Sequence, residues 1–290
     1  MKVKELIGEA LLKATGKRLS VENIKSQGGG CINNAVTVET NGGFFFIKYN
    51  ERTPADMFEK EFRGLSVLHE TGFISIPEPL GFGDIDGKGY IVMTGIQSAP
   101  PIKNFWTDFG AKLAALHRNF SNDRYGLDHN NYIGRLPQVN DWLDNWIDFF
   151  IRNRIEVQLK MAVDNHLVDE GLSVKFPVFY KKLPDLLPVE RPCLLHGDLW
   201  SGNFMTGHDG KAVLIDPAIY YGHREAELSF TQMFGGFDDE FYRSYEETWP
   251  LEKGFDSRVD IYNLYPTLVH LNLFGPMYLG GVKRVIEKYT

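Results

Sequence analysis

His196-Gly197-Asp198-Leu199-Trp200-Ser201-Gly202-Asn203, followed downstream by Ile215-Asp216-Pro217, is the stretch on which the reading of this chain turns. Apolar Cys193-Leu194-Leu195 leads into the first motif and Ala212-Val213-Leu214-Ile215 into the second, so each stands at the end of a short predicted strand. Asp198 and Asn203 lie five residues apart in a loop, and Asp216 adds a third oxygen donor. Transfer of a phosphoryl group needs this inventory. One carboxylate orients the attacking hydroxyl and takes its proton, and hard oxygen ligands hold a divalent cation against the phosphates. Asp198 is the candidate base, with Asn203 and Asp216 the candidate Mg²⁺ ligands. His196 reads as support for the loop rather than as a reacting group.

The upstream half supplies what such a loop requires. Gly28-Gly29-Gly30-Cys31 precedes strand-like Ala35–Glu39, Asn41-Gly42-Gly43 is a hairpin signal, and Phe44–Tyr49 is the partner strand. The glycines thus open a β-hairpin, unlike the strand–loop–helix order of a Rossmann or Walker-type site. Lys48 sits late in that hairpin. Residues 56–70 carry a helical stripe of Met57, Phe58, Phe62, Leu65 and Leu68, and Glu61 falls inside it. A carboxylate turned inward needs a partner, because an unpaired buried charge is costly. Lys48 is the candidate partner.

A Gly-rich turn, a strand lysine, a helix glutamate, H-x-D-x-x-x-x-N and a downstream aspartate together match the kinase template. Gly28, Gly29 and Gly30 would cover the ATP phosphates, Lys48 would hold the α- and β-phosphates, and Glu61 would position Lys48. Tyr90–Met93 reads as a strand leading to a hinge at Gly95, so Met93 and Gly95 are candidates to face the adenine. The fold class predicted is α+β, a two-lobe protein-kinase-like fold. Residues 1–94 would form a small β-rich N-lobe that binds the nucleotide. Residues 95–290 would form a larger, mainly helical C-lobe with the catalytic loop and the acceptor site.

Composition agrees with a globular enzyme: 290 residues, 43% hydrophobic and 24% charged. The net charge of −7, with no basic block, argues against nucleic acid as partner. No apolar run approaches the ~18 residues of a membrane span, and Met1–Ser20 lacks a signal-peptide core. Only two cysteines, Cys31 and Cys193, point to a reducing cytoplasm rather than a disulfide framework. Helices are predicted at 3–15, 104–117 and 141–167, the aromatics of 142–150 being core. Pro184, Pro188 and Pro192 punctuate the chain, and the remainder is helical with breaks near Trp249-Pro250 and Gly254.

The blocks GGGCINNA, MFEKEFRGL, NWIDFFIRNRIEVQL, HGDLWSGN, IDPAIYYGHREAEL and MFGGFDDEFY together resemble the fructosamine (ketosamine) kinase family, from about residue 26 to 275. Trp200-Ser201 and the triple glycine before Cys31-Ile32 distinguish it from aminoglycoside and choline phosphotransferases, the alternative reading. One departure is Thr94, where an acidic residue often follows the equivalent of Met93. The resemblance implies ATP as donor and the 3-hydroxyl of a sugar joined through C1 to an amine as acceptor. A phosphate at C3 adjoins the C2 ketone and can be eliminated, after which the amine is released; this is a deglycation or repair role.

Trp200 would stack on the sugar, block larger acceptors, or pack the lobe. His270 and Asn272 would contact substrate or serve structure. Glu225 and Glu227 would attract a cationic amine, or one of them would brace the catalytic loop. The acceptor partner is a small or protein-linked ketosamine. Cys31, in a loop over the phosphates, would be a small residue that packs well or a reactive thiol, the chain accordingly a monomer or a redox-dependent homodimer through Cys31, with Cys193 buried and inert.

Overall fold

Residues 3–27, 34–51 and 54–290 are described by a computed structural model. The readings placed on Gly28, Gly29, Gly30 and Cys31 lie outside the described residues. Chain contacts gather Met1–Phe109 with Asn203–Pro217 into one compact unit, and Gly110–Gly202 with Ala218–Thr290 into a second.

The first unit is built on period-two burial. Strands β1 (Val21–Gln27), β2 (Asn34–Thr40), β3 (Gly43–Asn50), β4 (Pro79–Ile85) and β5 (Lys88–Thr94) form one antiparallel sheet in the order β1-β2-β3-β5-β4. Val36 and Val38 of β2, Phe45 and Ile47 of β3, and Tyr90 and Val92 of β5 alternate onto one face. Helix α1 (Val3–Thr15) covers that face with Leu6, Ile7, Ala10 and Leu11, spaced as one side of a helix. Helix α2 (Met57–Thr71) runs as the apolar stripe predicts and stops at Gly72, whose φ of 68° provides the left-handed cap. Strand β4 has little strand signal in the sequence, because Pro77 and Pro79 interrupt it. Pro79 opens an edge strand, where its missing N–H costs no ladder bond.

The second unit is mainly helical around an aromatic core. Trp146, Phe149, Phe150, Phe176 and Phe179 pack with Ile261, Leu264 and Leu268 of the C-terminal helices. Cys193–Leu195, fully buried, pairs antiparallel with Tyr220–Gly222. The predicted helix over 141–167 is broken up: Trp146–Phe149 is α-helical, Phe150–Ile155 is a π-turn, and α-helix resumes at Glu156–Asp164. Pro184 does not interrupt the chain as predicted. It sits in the last turn of helix Phe176–Leu186, where its missing N–H forgoes one bond, to Tyr180 O, close to the helix end. Breaks do fall after Thr248 and before Phe255. Among the described residues no helix is long and apolar enough to cross a membrane. Cys193 is a free, buried thiol, and burial pushes its pKa well up, as suits an inert cysteine.

Candidate active site

Lys48 is brought to the interior by the pleat of β3, with only 9% of its side chain exposed. Its Nζ lies 2.7 Å from Glu61 Oε1 and 2.6 Å from Asp216 Oδ1. The inward carboxylate of α2 therefore finds its partner, and the aspartate of the second motif joins the same ammonium. Burial alone would lower the Lys48 pKa; the charges of Asp216 and Glu61 outweigh it and raise it above the ordinary lysine value. Glu61 is shifted upward, first by burial, against the pull of Lys48 and with the charge of Asp216 adding to the rise. One cation shared by two carboxylates leaves the cluster electronegative.

Asp216 follows a short hairpin in which Phe204–Thr206 pairs with Ala212–Leu214. Ile215 N–H donates to Asn203 O at 3.0 Å, which sets Asn203 beside the residue preceding Asp216. Leu214 N–H donates to Ser75 O at 3.0 Å and anchors the hairpin to the unit. Asp216 has φ of +56°, a left-handed backbone that side chains rarely adopt, followed at once by Pro217. Its side chain is 45% exposed, against 13% for Glu61, so it is the carboxylate of the cluster free to meet a ligand from outside. One carboxylate and one amide at a hairpin end suit a magnesium ion, which takes few protein ligands and completes its shell with phosphates and water. Among the described residues no group of three or more His, Cys, Asp or Glu is placed to hold a metal, and magnesium of this kind needs none.

At the end of β5, Met93 is buried between Phe46 of β3 and Pro79 of β4. Gly95 N–H donates to Phe44 O at 2.8 Å, and a Cβ there would stand 2.3 Å from the Phe44 ring. The Gly95 N–H is thus spent on the sheet.

In the second unit the loop at 196–198 is held from beneath. Glu227, on helix Arg224–Met233, accepts the backbone N–H of His196 at 3.2 Å and of Gly197 at 2.7 Å. His117, on helix Phe105–Asn119, meets the Glu227 carboxylate at 2.9 Å through Nε2 and the Tyr245 hydroxyl at 2.7 Å through Nδ1. Burial would raise the Glu227 pKa, but His117, the charge of His196 and the Gly197 N–H hold it below the ordinary carboxylate value. Gly197 has φ of +82°, and a Cβ on it would lie 2.0 Å from Ala218 O. Only glycine fits there. Asp198 N–H is directed at His196 Nδ1, 3.3 Å away, so His196 shapes the loop, as the sequence suggests. Of the two candidate glutamates, Glu227 braces the loop. Glu225 is engaged elsewhere, in a buried fork with Arg258 at 2.7 and 2.5 Å. The sequence offered no signal for His117, whose partner is 110 residues away.

Asp198 lines a cavity together with Tyr220, Phe230, Tyr265 and His270. Arg154, fully buried on the π-turn, stacks behind two of these walls, 4.0 Å from the Tyr220 ring centre and 5.4 Å from that of Tyr265. Trp200 packs edge-on to Phe234 at 5.7 Å, and Phe234 lies 5.0 Å from His270. Asn272 stands apart: its Nδ2 donates to both the backbone and side-chain oxygens of Gln158 at 2.9 Å. The structure therefore groups Asp198 and His270 at one cavity, with Trp200 joined to it through Phe234, and ties Asn272 to the neighbouring helix.

Comparison with known proteins places the chain in a family. The fructosamine kinase family model matches residues 3–290. The chloroplastic protein-ribulosamine 3-kinase of Oryza sativa subsp. indica is 38% identical over 283 residues, covering 94% of this chain and 80% of that one. A crystal structure described as a fructosamine-3-kinase of Thermobifida fusca YX-ER1 superposes with a TM-score of 0.87 at 29% identity, covering 97% of each chain. A thermostable mutant of aminoglycoside phosphotransferase APH(4)-Ia, solved with AMP-PNP and hygromycin B, shares the fold, with a TM-score of 0.63 at 16% identity over 97% of this chain and 98% of that one. The α+β fold is thus protein-kinase-like, and with a family match that spans nearly the whole sequence, the chain belongs to the fructosamine kinase family.

Proposed function

We propose that this protein is an ATP-dependent ketosamine kinase that phosphorylates the 3-hydroxyl of fructosamine or ribulosamine adducts of amines or proteins. The observation that carries the reading is the single ammonium of Lys48 bound to both Glu61 and Asp216, the preformed phosphate end of a kinase site. In this reading residues 1–94 bind the nucleotide and 95–290 carry the catalytic loop and acceptor site. Lys48, positioned by Glu61, takes the α- and β-phosphates, and Met93 and Gly95 border the adenine, Gly95 other than through its N–H. Asn203 and Asp216 would hold Mg²⁺, which supplies charge neutralisation at the phosphates when bound.

Asp198 takes the proton from the acceptor hydroxyl as its oxygen bonds to the γ-phosphorus and the bond to ADP breaks. Glu227 and His196 hold Asp198 in place for that transfer. The product decays by ordinary chemistry. Loss of a C1 proton gives an enaminol, phosphate leaves C3 with the bonding electrons, and water hydrolyses the resulting iminium to release the amine. A deglycation role follows from this, and the scarcity of cysteine suits a reducing cytoplasm. A redox-dependent homodimer through Cys31 would show as a peroxide-induced band on non-reducing gels that Cys31→Ala lacks.

Incubation with ATP and a ketosamine, followed by ³¹P and ¹³C NMR, tests the reading. Phosphate on C3 followed by slow amine release is the outcome it requires. Phosphate on C6, or reaction of kanamycin or choline with no ketosamine reacting, would overturn it.

A further inference from the structure

His270, which lines the cavity together with Asp198, is flanked by further rings. Around His270 stand the rings of Phe234 at 5.0 Å, Tyr278 at 5.1 Å and Phe274 at 5.4 Å. Phe234, Phe274 and Met277 are 41%, 48% and 80% exposed. Single exposed apolar side chains are ordinary, but Phe234 and Phe274 both flank His270, a wall of the cavity, and Met277 precedes Tyr278 in the chain; a set of this kind marks a contact surface. This set is tied to the catalytic loop twice. Trp200 packs on Phe234, and a Cβ at Gly236 would lie 2.6 Å from Ser201 Cβ, so the segment after Phe234 lies against the loop.

His270 is chemically suited to a cationic neighbour. Its Nδ1–H donates to Pro266 O at 2.7 Å, which leaves Nε2 as an acceptor in the neutral ring. Burial lowers its pKa and favours that neutral form.

A ketosamine has two ends: a small hydroxylated sugar and, at C1, a secondary amine with its substituent. Resting on the reading above, a 3-hydroxyl at Asp198 leaves the amine end two carbons away and directed out of the cavity. We propose that Phe234, His270, Phe274, Met277 and Tyr278 form an amine-side subsite. The protonated amine donates to His270 Nε2 and lies against the ring faces, and an aliphatic or aromatic substituent covers Phe274 and Met277. Among ketosamines of one sugar, the enzyme then selects those with apolar amines.

The test uses the benzylamine and ethanolamine adducts of the same sugar, which share the cation and differ in apolar surface. For the wild type, kcat/KM should favour the benzylamine adduct by about tenfold. In Phe274→Ser/Met277→Ser that ratio should fall towards one. Equal wild-type values for the two adducts, or an undiminished ratio in the double variant, would overturn the subsite. Calorimetric titration with N-methylbenzylamine separates this from the kinase reading. If no ketosamine is turned over, that reading fails; the subsite still stands on amine binding that the double variant weakens, and falls if wild type and variant bind alike.

Discussion

Lys48 Nζ lies 2.6 Å from Asp216 Oδ1, as near as its 2.7 Å approach to Glu61 Oε1, so one ammonium serves two carboxylates. The two sites of a lysine–glutamate pair are therefore three, and removing the cation strands Glu61 in the interior. Lys48→Met should lower unfolding free energy by about 3 kcal/mol, the scale of a broken buried pair. Lys48→Met/Glu61→Gln should recover part of that loss in urea denaturation, and activity losses should be less than multiplicative. Additive effects would show that Glu61 is satisfied by another group.

The brace beneath the catalytic loop gives a pH signature. The Glu227 pKa is held below the ordinary 4.5 in the folded state. The unfolded chain binds more protons in that window, so the stabilisation is full above about 4.5 and disappears as pH falls through the lower folded value. Urea midpoints measured from about pH 6 to about pH 3 should fall less steeply in Glu227→Gln than in the wild type. Displacement of the loop should also cost Glu227→Gln about 10²-fold in kcat, with ATP affinity retained.

Asp198→Ala should lower kcat by ~10²–10⁴, the worth of a positioned general base. Nucleotide affinity, followed by fluorescent ATP-analogue titration, should stay near the wild-type value, because in the proposed mechanism Asp198 meets the acceptor and not the nucleotide. Near-normal turnover in a folded Asp198→Ala protein would remove the mechanism.

Asn203→Ala and Asp216→Ala should both raise the Mg²⁺ concentration needed for half-maximal rate, Asp216→Ala the more because it removes a charged ligand. Unchanged magnesium dependence in both would displace the metal from this hairpin.

Gly197→Ala should destabilise by more than about 1 kcal/mol, since alanine is strained at a φ of +82° and its Cβ meets the Ala218 carbonyl at 2.0 Å. Thermal melting and turnover should fall together. Wild-type stability would mean that the loop relaxes freely.

The sequence by itself determined the parts whose signal is local. Loop spacing marked Asp198, Asn203 and Asp216. The Asn41-Gly42-Gly43 turn signal placed the hairpin carrying Lys48, and an acid inside an apolar stripe implied a buried partner for Glu61. What it left open depends on groups far apart in the chain. The third member of the Lys48 cluster is 168 residues from it. The choice of Glu227 over Glu225 as brace turned on the His117–Tyr245 relay and on Arg258 capturing Glu225. The π-turn at Phe150–Ile155 replaced a regular helix whose apolar pattern looked continuous. Asn272 went to Gln158 rather than to the cavity. A buried polar group must find partners wherever the packed chain brings them, and helical periodicity tells only that a residue turns inward; which group it meets there is decided by tertiary packing.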